Sequence, residues 1–235
     1  MKNQELGFIR EMFEKIAHRY DFLNRLLSLR KDIYWRQTLV SAMNIPVKSS
    51  VLDAACGTGE IALEIIRQKK YQVSVFGIDF STNMLKIAKN KVDMASCGSS
   101  VHLAAANIFY LPFHPKTFDA ATIAFGIRNI NDKITALKVF HNSLKPGGML
   151  LVLELTTPEK GVLLSLYLFY FKKILPFIGR FFSKNPMAYK YLPSSVENFP
   201  DAKTFALMMS KAGFKKVRWK KMTMGIATLF TGLKK

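Results

Sequence analysis

Two acids and a glycine turn carry the first chemistry in this chain. Residues 51–60 read VLDAACGTGE, and a second apolar run ends in FGID at Asp79. A buried strand running into an acid, a glycine turn and a helix start brings backbone close to a ligand, because glycine has no Cβ in the way. An acid at the tip of the second strand is placed to take a pair of ribose hydroxyls. Two nucleoside-type ligands suit this pattern. Gly57-Thr58-Gly59-Glu60-Ile61-Ala62 satisfies the dinucleotide fingerprint GxGxxG/A, with an acid about twenty residues on. A pyrophosphate, however, needs the helix N-terminus and its free N–H groups, and the carboxylates of Asp53 and Glu60 would repel it. S-adenosylmethionine (AdoMet) has no phosphate; it carries an ammonium and a sulfonium, and its carboxylate can still use the N–H groups of the turn. The sign of the charge favours AdoMet over a dinucleotide. A turn without a ligand leaves the paired acids unexplained.

The elements that must position this turn follow from periodicity. Residues 4–17 and 21–43 read as two amphipathic helices joined around Tyr20-Asp21, and Pro46 ends that region. Strands at 51–55, 73–79, 101–105, 120–124 and 149–155 then alternate with helices at 60–68, 82–95 and 132–144. That alternation predicts a parallel sheet with helices on both faces. After a helix at 201–212, strands at 217–221 and 226–233 are joined too tightly to be anything but an antiparallel hairpin. A mostly parallel α/β sheet closed by such a hairpin is the architecture of AdoMet-dependent methyltransferases. The expected organisation is an N-terminal helical cover at 1–45 and a methyltransferase domain at 46–235 with a helical insert at 156–196.

Composition narrows the partners. With 35 basic and 16 acidic residues among 235 the net charge is +19. Residues 160–235 hold 15 basic and 2 acidic residues, or +13, leaving +6 for the rest. Such an excess suits an anionic surface, lipid headgroups or nucleic acid, although solvated lysines alone would give the same count. The insert reads VLLSLYLFYF, Lys172-Lys173, ILPFIGRFF. Ten apolar residues fall short of the roughly twenty that span a bilayer, so the insert is expected to roof an apolar pocket or lie on a membrane; a packed helical cap is the plainer alternative. No signal peptide is visible at the N-terminus, and two cysteines, Cys56 and Cys97, make no framework, which fits a reducing cytoplasm. No Cys/His cluster has metal-ligand spacing, so no metal is expected.

Along nearly its whole length the chain resembles the ubiquinone/menaquinone biosynthesis C-methyltransferases. YDFLNRLLS from Tyr20, Trp35, VLDAACGTGE, FGIDFSTNML, AANIFYLPF, FDAATIAFGIRNI, LKPGGMLLVLEL, PFIG and YKYLPSSVENFP carry the resemblance. LDxxCGTG and KPGG are widespread among methyltransferases; the YDxxN opening, FGIRN and YxYLxxS together are diagnostic. Three positions depart from the pattern: Asp32 in place of His, Ala124 in place of a Ser that commonly contacts the cofactor, and Cys56 in place of Gly. The resemblance implies a Rossmann-like class I methyltransferase fold with seven strands. It also implies C-methylation of a polyprenylated quinol, demethylmenaquinol to menaquinol, with a benzoquinol of ubiquinone synthesis as a second acceptor in some members. The enzyme would be cytoplasmic and peripheral at the inner face of the membrane. Oligomeric state is not legible.

On that reading Asp53, Gly57, Thr58 and Gly59 surround the methionine part of AdoMet. Asp79 binds ribose, Phe80 borders the adenine, and Asn107 and Ile108 hold its edge and face. Phe125 and Gly126 lie close to the methyl. A ring carbon is a weak nucleophile until an ortho hydroxyl gives up its proton. Arg128 and Asn129 follow a strand end and are the candidates to stabilise the resulting phenolate; Arg128 pairing Asp132 at a helix start is the structural alternative. Tyr20, Asp21 and Asn24 would close over the acceptor from the N-terminal helices, unless they serve helix packing and capping. Tyr189, Tyr191 and Ser194 would line the pocket. His18 and His141 are the histidines considered as a base, though a lone His is more often structural. Two other functions suit the charge: methylation of RNA, and a membrane-surface protein with no activity. The 211–221 segment offers only Phe214 and Trp219 for base stacking, against the first.

Overall fold

The computed structural model describes residues 2–70, 72–158 and 186–235. Its strands are β1 (Ser49–Ala54), β2 (Val73–Asp79), β3 (Val101–Ala105), β4 (Phe118–Ala124), β5 (Leu144–Leu155), β6 (Lys215–Met222) and β7 (Ala227–Leu233). They form one sheet in the order β3-β2-β1-β4-β5-β7-β6. β1 to β5 pair in parallel, and β7 runs antiparallel between β5 and β6. Both the alternating parallel half and the closing hairpin match the sequence reading.

The helices are α1 (Lys2–Leu27), α2 (Lys31–Ser41), α3 (Glu60–Lys69), α4 (Thr82–Met94), α5 (Lys133–Ser143), α6 (Pro186–Glu197) and α7 (Ala202–Lys211). Apolar side chains alternate across the strands because successive residues point to opposite faces. One face carries Val51, Val75 and Leu151, packed with Leu39 of α2 and Ile61 and Ile65 of α3. The other carries Leu52, Ile78 and Ile123, packed with Phe140 of α5 and Phe205 of α7. Burying each such side chain contributes roughly 1.5–3 kcal/mol, so the sheet is held independently of the polar groups at its tips.

The strand order reverses at β1: β2 and β3 lie to one side, β4 and β5 to the other. A crevice must open where chains leave two neighbouring strand ends in opposite directions. The β1 and β4 tips therefore form the floor of a site, and α1 is its cover.

The structure corrects the expected break at Tyr20-Asp21. α1 runs through that dipeptide, which contains no helix breaker. It stops at Ser28, where Leu29 and Arg30 take left-handed backbone (φ 49° and 63°) and the Arg30 N–H reaches back to the Arg25 carbonyl. Ser28 then donates to Asp32, and the Asp32 N–H returns to the Ser28 hydroxyl, which starts α2. Most of the expected insert, including the two apolar runs at 162–171 and 174–182, lies outside the described residues. No helix among the described residues is long and apolar enough to cross a membrane.

Candidate functional site

The glycine turn after β1 is shaped by φ values that side chains resist. Gly57 and Gly59 sit at φ 53° and 81°, where a Cβ is strained. The Gly57 N–H donates to Asp79 Oδ2 at 2.8 Å and the Ser81 N–H to Asp79 Oδ1 at 2.8 Å. Asp79 thus ties the turn to the tip of β2 while keeping one further lone-pair direction on each oxygen. Burial raises its pKa, and the backbone N–H groups of Ser81, Gly57 and Phe80 oppose that rise.

Above these tips lies a cavity of about 550 Å³, within the range of small-molecule sites. Gly57, Asp79, Phe80, Asn107, Ile108 and Phe125 line it. Gly126 and Asn129 line it as well, and so does Ala124, so the missing Ser hydroxyl is a real loss from the wall. Phe125 holds left-handed backbone (φ 56°). It is fixed by its N–H to the Leu153 carbonyl, by Trp35 at 6.1 Å between ring centroids and by the Arg36 guanidinium 5.6 Å from its ring.

Several expected ligand residues stand elsewhere. Asp53 is 1% exposed and lies beneath the turn, where Oδ1 accepts from Thr122 at 2.8 Å. Burial, reinforced by nearby Asp79, pushes its pKa up to about 7, against the pull of Thr122 and Arg36. Thr58 is buried and gives its hydroxyl to Asp21 at 2.6 Å. Gly59 begins α3 against Ala88, 3.2 Å from where its Cβ would be. Asp21 is a strut rather than an acceptor contact: Lys91 of α4 bonds both Asp21 and Glu60 of α3 at 2.5 Å. These residues latch the cover helix to the turn. The network went unseen in the sequence because its members are 31 to 70 residues apart. The Tyr189 side chain falls outside the described residues. Neither His18, exposed on α1, nor His141, packed edge-on against Phe214, lines either cavity. Asp32 pairs with Arg36 in a buried bridge.

A second, smaller cavity of about 60 Å³ adjoins the first; Phe13 and Tyr20 line both. Asn24, Arg128 and Tyr191 meet there. Tyr191 donates to Asn129 Oδ1 at 3.0 Å, joining α6 to the β4 exit. Arg128 is buried and salt-bridged to Glu154 of β5 at 2.7 Å, and its Nη1 also bonds the Phe125 carbonyl. Burial works against its charge, and Glu154 more than restores it, so its pKa stands above the ordinary arginine value. Asp132, the partner considered from sequence, caps α5 by accepting from the Thr135 N–H. The sequence signal for Glu154 was one acid within the apolar run MLLVLEL. Two buried donors, Asn24 Nδ2 and Arg128 Nε, have no hydrogen-bond partner among the described residues.

The larger cavity fits AdoMet better than a dinucleotide. The Gly57 N–H is already taken by Asp79, so it is not free for a pyrophosphate, which needs the donors of a helix start. Asp79, Phe80 and Ile108 all line this cavity.

Comparison with known proteins gives the same assignment. The model of the ubiE/COQ5 methyltransferase family matches residues 1–234. The ubiquinone/menaquinone biosynthesis C-methyltransferase UbiE of Geotalea daltonii is 45% identical over 226 residues, 96% of each chain. The demethylmenaquinone methyltransferase of Thermus thermophilus is 42% identical over 221 residues, 94% of this chain and 99% of that one. Among solved structures, a methyltransferase of Thermotoga maritima described as a possible histamine N-methyltransferase superposes with a TM-score of 0.66 at 19% identity, covering 96% of this chain and 99% of that one. Phosphoethanolamine N-methyltransferase 2 of Haemonchus contortus, solved with AdoMet, gives 0.63 at 17% identity over 83% of this chain and 51% of that one. These two likenesses concern the fold.

Proposed function

The chain belongs to the ubiE/COQ5 methyltransferase family, and from that premise we propose that it transfers the methyl group of AdoMet to a ring carbon of demethylmenaquinol, giving menaquinol. The observation that carries this reading is the pair of adjoining cavities, one at the strand tips with Asp79 and one under α1 with Arg128, sharing Phe13 and Tyr20 as a common wall.

AdoMet supplies an electrophilic methyl on a sulfonium. Asp79 takes the ribose diol, Phe80, Asn107 and Ile108 hold the adenine, and Gly57 lets the backbone approach the methionine part. Asp53 sits below the turn, buried and bonded to Thr122, and supports the turn from beneath. Phe125 and Gly126 border the methyl. The acceptor ring enters from the second cavity, beside Tyr20, Tyr191 and Arg128. A ring hydroxyl loses its proton, and the neighbouring carbon forms the new bond to methyl as the sulfur–carbon bond breaks. That carbon then sheds its own hydrogen as a proton and aromaticity returns. Arg128 aids the first loss through its Nε–H; with Glu154 compensating its charge it acts as a directed donor rather than a free cation. α1, latched through Asp21 and Lys91, keeps water away from reacting carbons that must approach to about 3–3.5 Å. The basic excess of the C-terminal third suits an anionic membrane at its cytoplasmic side, where a polyprenylated acceptor is met.

Purified protein is given methyl-labelled AdoMet with reduced demethylmenaquinone in detergent and, in parallel, with total RNA. Label in the quinone fraction supports the proposal. Label in RNA alone, or no transfer and no AdoMet binding, overturns it.

A further inference from the structure

We infer that the strand-tip end of the molecule docks on an anionic lipid bilayer, with Leu29 and Met224 entering the headgroup layer and Arg30, Lys31 and Lys220 meeting its charge. The inference rests on the lipid acceptor of the proposed function and names the surface on which that acceptor is met. Leu29 is 77% exposed and Met224 71%. Leu29 stands at the corner between α1 and α2, and Met224 in the turn between β6 and β7. β5 and β6 both run antiparallel to β7. β6 therefore ends where the parallel strands end, and its turn stands at the cavity end of the sheet. The start of α2 is held to that turn, because the Trp35 indole N–H donates to the Thr223 hydroxyl at 2.8 Å. Leu27, two residues before Leu29, lines the smaller cavity. Beside Met224, Pro158 lies 3.6 Å from where a Gly225 Cβ would be.

Single exposed apolar side chains are ordinary. Backbone and charge set these two apart. Leu29 holds φ 49° and Met224 φ 56°, left-handed backbone that suits glycine or asparagine better than either residue. Local conformation alone would not select them. Arg30, Lys31 and Lys220 are exposed around them. Lys220 pairs with Leu229, which belongs to the same apolar cluster as Leu39 of α2, so Lys220 projects on the α2 face of the sheet. Tyr34 is exposed three residues from Lys31 and shares its side of the helix. Acids are missing from this rim. Asp32, the one acid between Phe22 and Leu52, is buried against Arg36, and none follows Asp201. Apolar tips among bases fit a bilayer of anionic lipids, which attracts the bases and takes the apolar side chains into its headgroup layer. An RNA would use the charge, but leucine and methionine give its bases no ring to stack on.

Full-length protein is sedimented with vesicles of phosphatidylcholine, alone or mixed with phosphatidylglycerol, and in parallel is titrated with total RNA. Wild type should bind the mixed vesicles and leave them as salt rises. Leu29→Asn together with Met224→Asn removes both apolar tips. Asparagine tolerates left-handed backbone, so the thermal midpoint of this variant should hold or rise while its binding to mixed vesicles falls roughly 10-fold. Arg30→Asn, Lys31→Gln and Lys220→Gln combined should lower that binding roughly 100-fold, about fivefold for each charge. AdoMet affinity should be unchanged in both variants. Equal vesicle binding by wild type and the Leu29/Met224 variant overturns the proposal. So does binding of wild type to RNA with none to the mixed vesicles. If both variants lose vesicle binding as expected but wild type methylates no quinol, the docking surface stands and the proposed function fails.

Discussion

The two cavities are built on opposite terms. The larger one stands on the tips of parallel strands, where two backbone N–H groups hold Asp79, Lys91 holds Glu60, and Thr122 holds one oxygen of Asp53 while the other has no partner among the described residues. The smaller one hangs between α1, the exit of β4 and α6, and leaves two donors unpaired. On the proposed function, the site made by the sheet takes the methyl donor and the site made by the cover chooses the acceptor. If the comparison holds, damage to one cavity should leave binding at the other intact.

The largest effect is expected on the acceptor side. Glu154→Leu strands the Arg128 charge in a buried position, and breaking such a pair costs about 3–5 kcal/mol. Denaturant unfolding should show that loss, while the fraction that remains folded binds AdoMet normally. Impaired AdoMet binding there would mean that the cavities are not separable.

Asp53 tests the donor side through pH. Its carboxyl keeps its proton to about pH 7 in the folded protein, against an ordinary value of 3.8. The unfolded chain therefore ionises first. The contribution is intact below about pH 4, declines as the pH rises to about 7, and is flat beyond, with a ceiling of about 4 kcal/mol from the size of the shift. Asp53→Asn should remove that slope from the stability–pH curve and be the more stable protein at pH 8. An unchanged slope would show that Asp53 ionises freely.

Asp79→Ala should weaken AdoMet binding by roughly 1.5–3 kcal/mol, the cost of a charged hydrogen bond, and leave quinol titrations alone. An unchanged AdoMet titration would refute the ribose role. The smallest effect belongs to the latch. Lys91→Met removes a partly exposed bridge and should cost about 1 kcal/mol or less in stability, with a larger rise in KM for the quinol than for AdoMet. Equal rises would argue that α1 covers both ligands alike.

The sequence foretold the donor site better than the acceptor site, for physical reasons. Residues 51–60 and Asp79 are local strand–turn signals, and strand alternation alone predicts the sheet. Even there, the side-chain type did not tell which acid reaches the cavity: Asp53 and Asp79 look alike in sequence and both are buried, yet only Asp79 lines it. The acceptor site depends on pairings between distant segments, Arg128 with Glu154 and Tyr191 with Asn129. FGIRN and YDxxN supply Tyr20, Asn24 and Arg128 to the wall of the smaller cavity. Neither could show that Asp21 latches a helix while the amide nitrogen of Asn24, three residues on, has no partner among the described residues. The break of α1 was misplaced because Leu29 and Arg30 adopt left-handed backbone that their side chains do not advertise.

The most direct test of the account is where the methyl goes. The protein is incubated with AdoMet carrying a trideuterated methyl and with reduced demethylmenaquinone, and the product is oxidised before mass spectrometry. We predict a quinone in which one ring hydrogen is replaced by the labelled methyl, since a C-methylated quinol still oxidises. Label held in an ether that resists oxidation, or no label in the quinone at all, would contradict it.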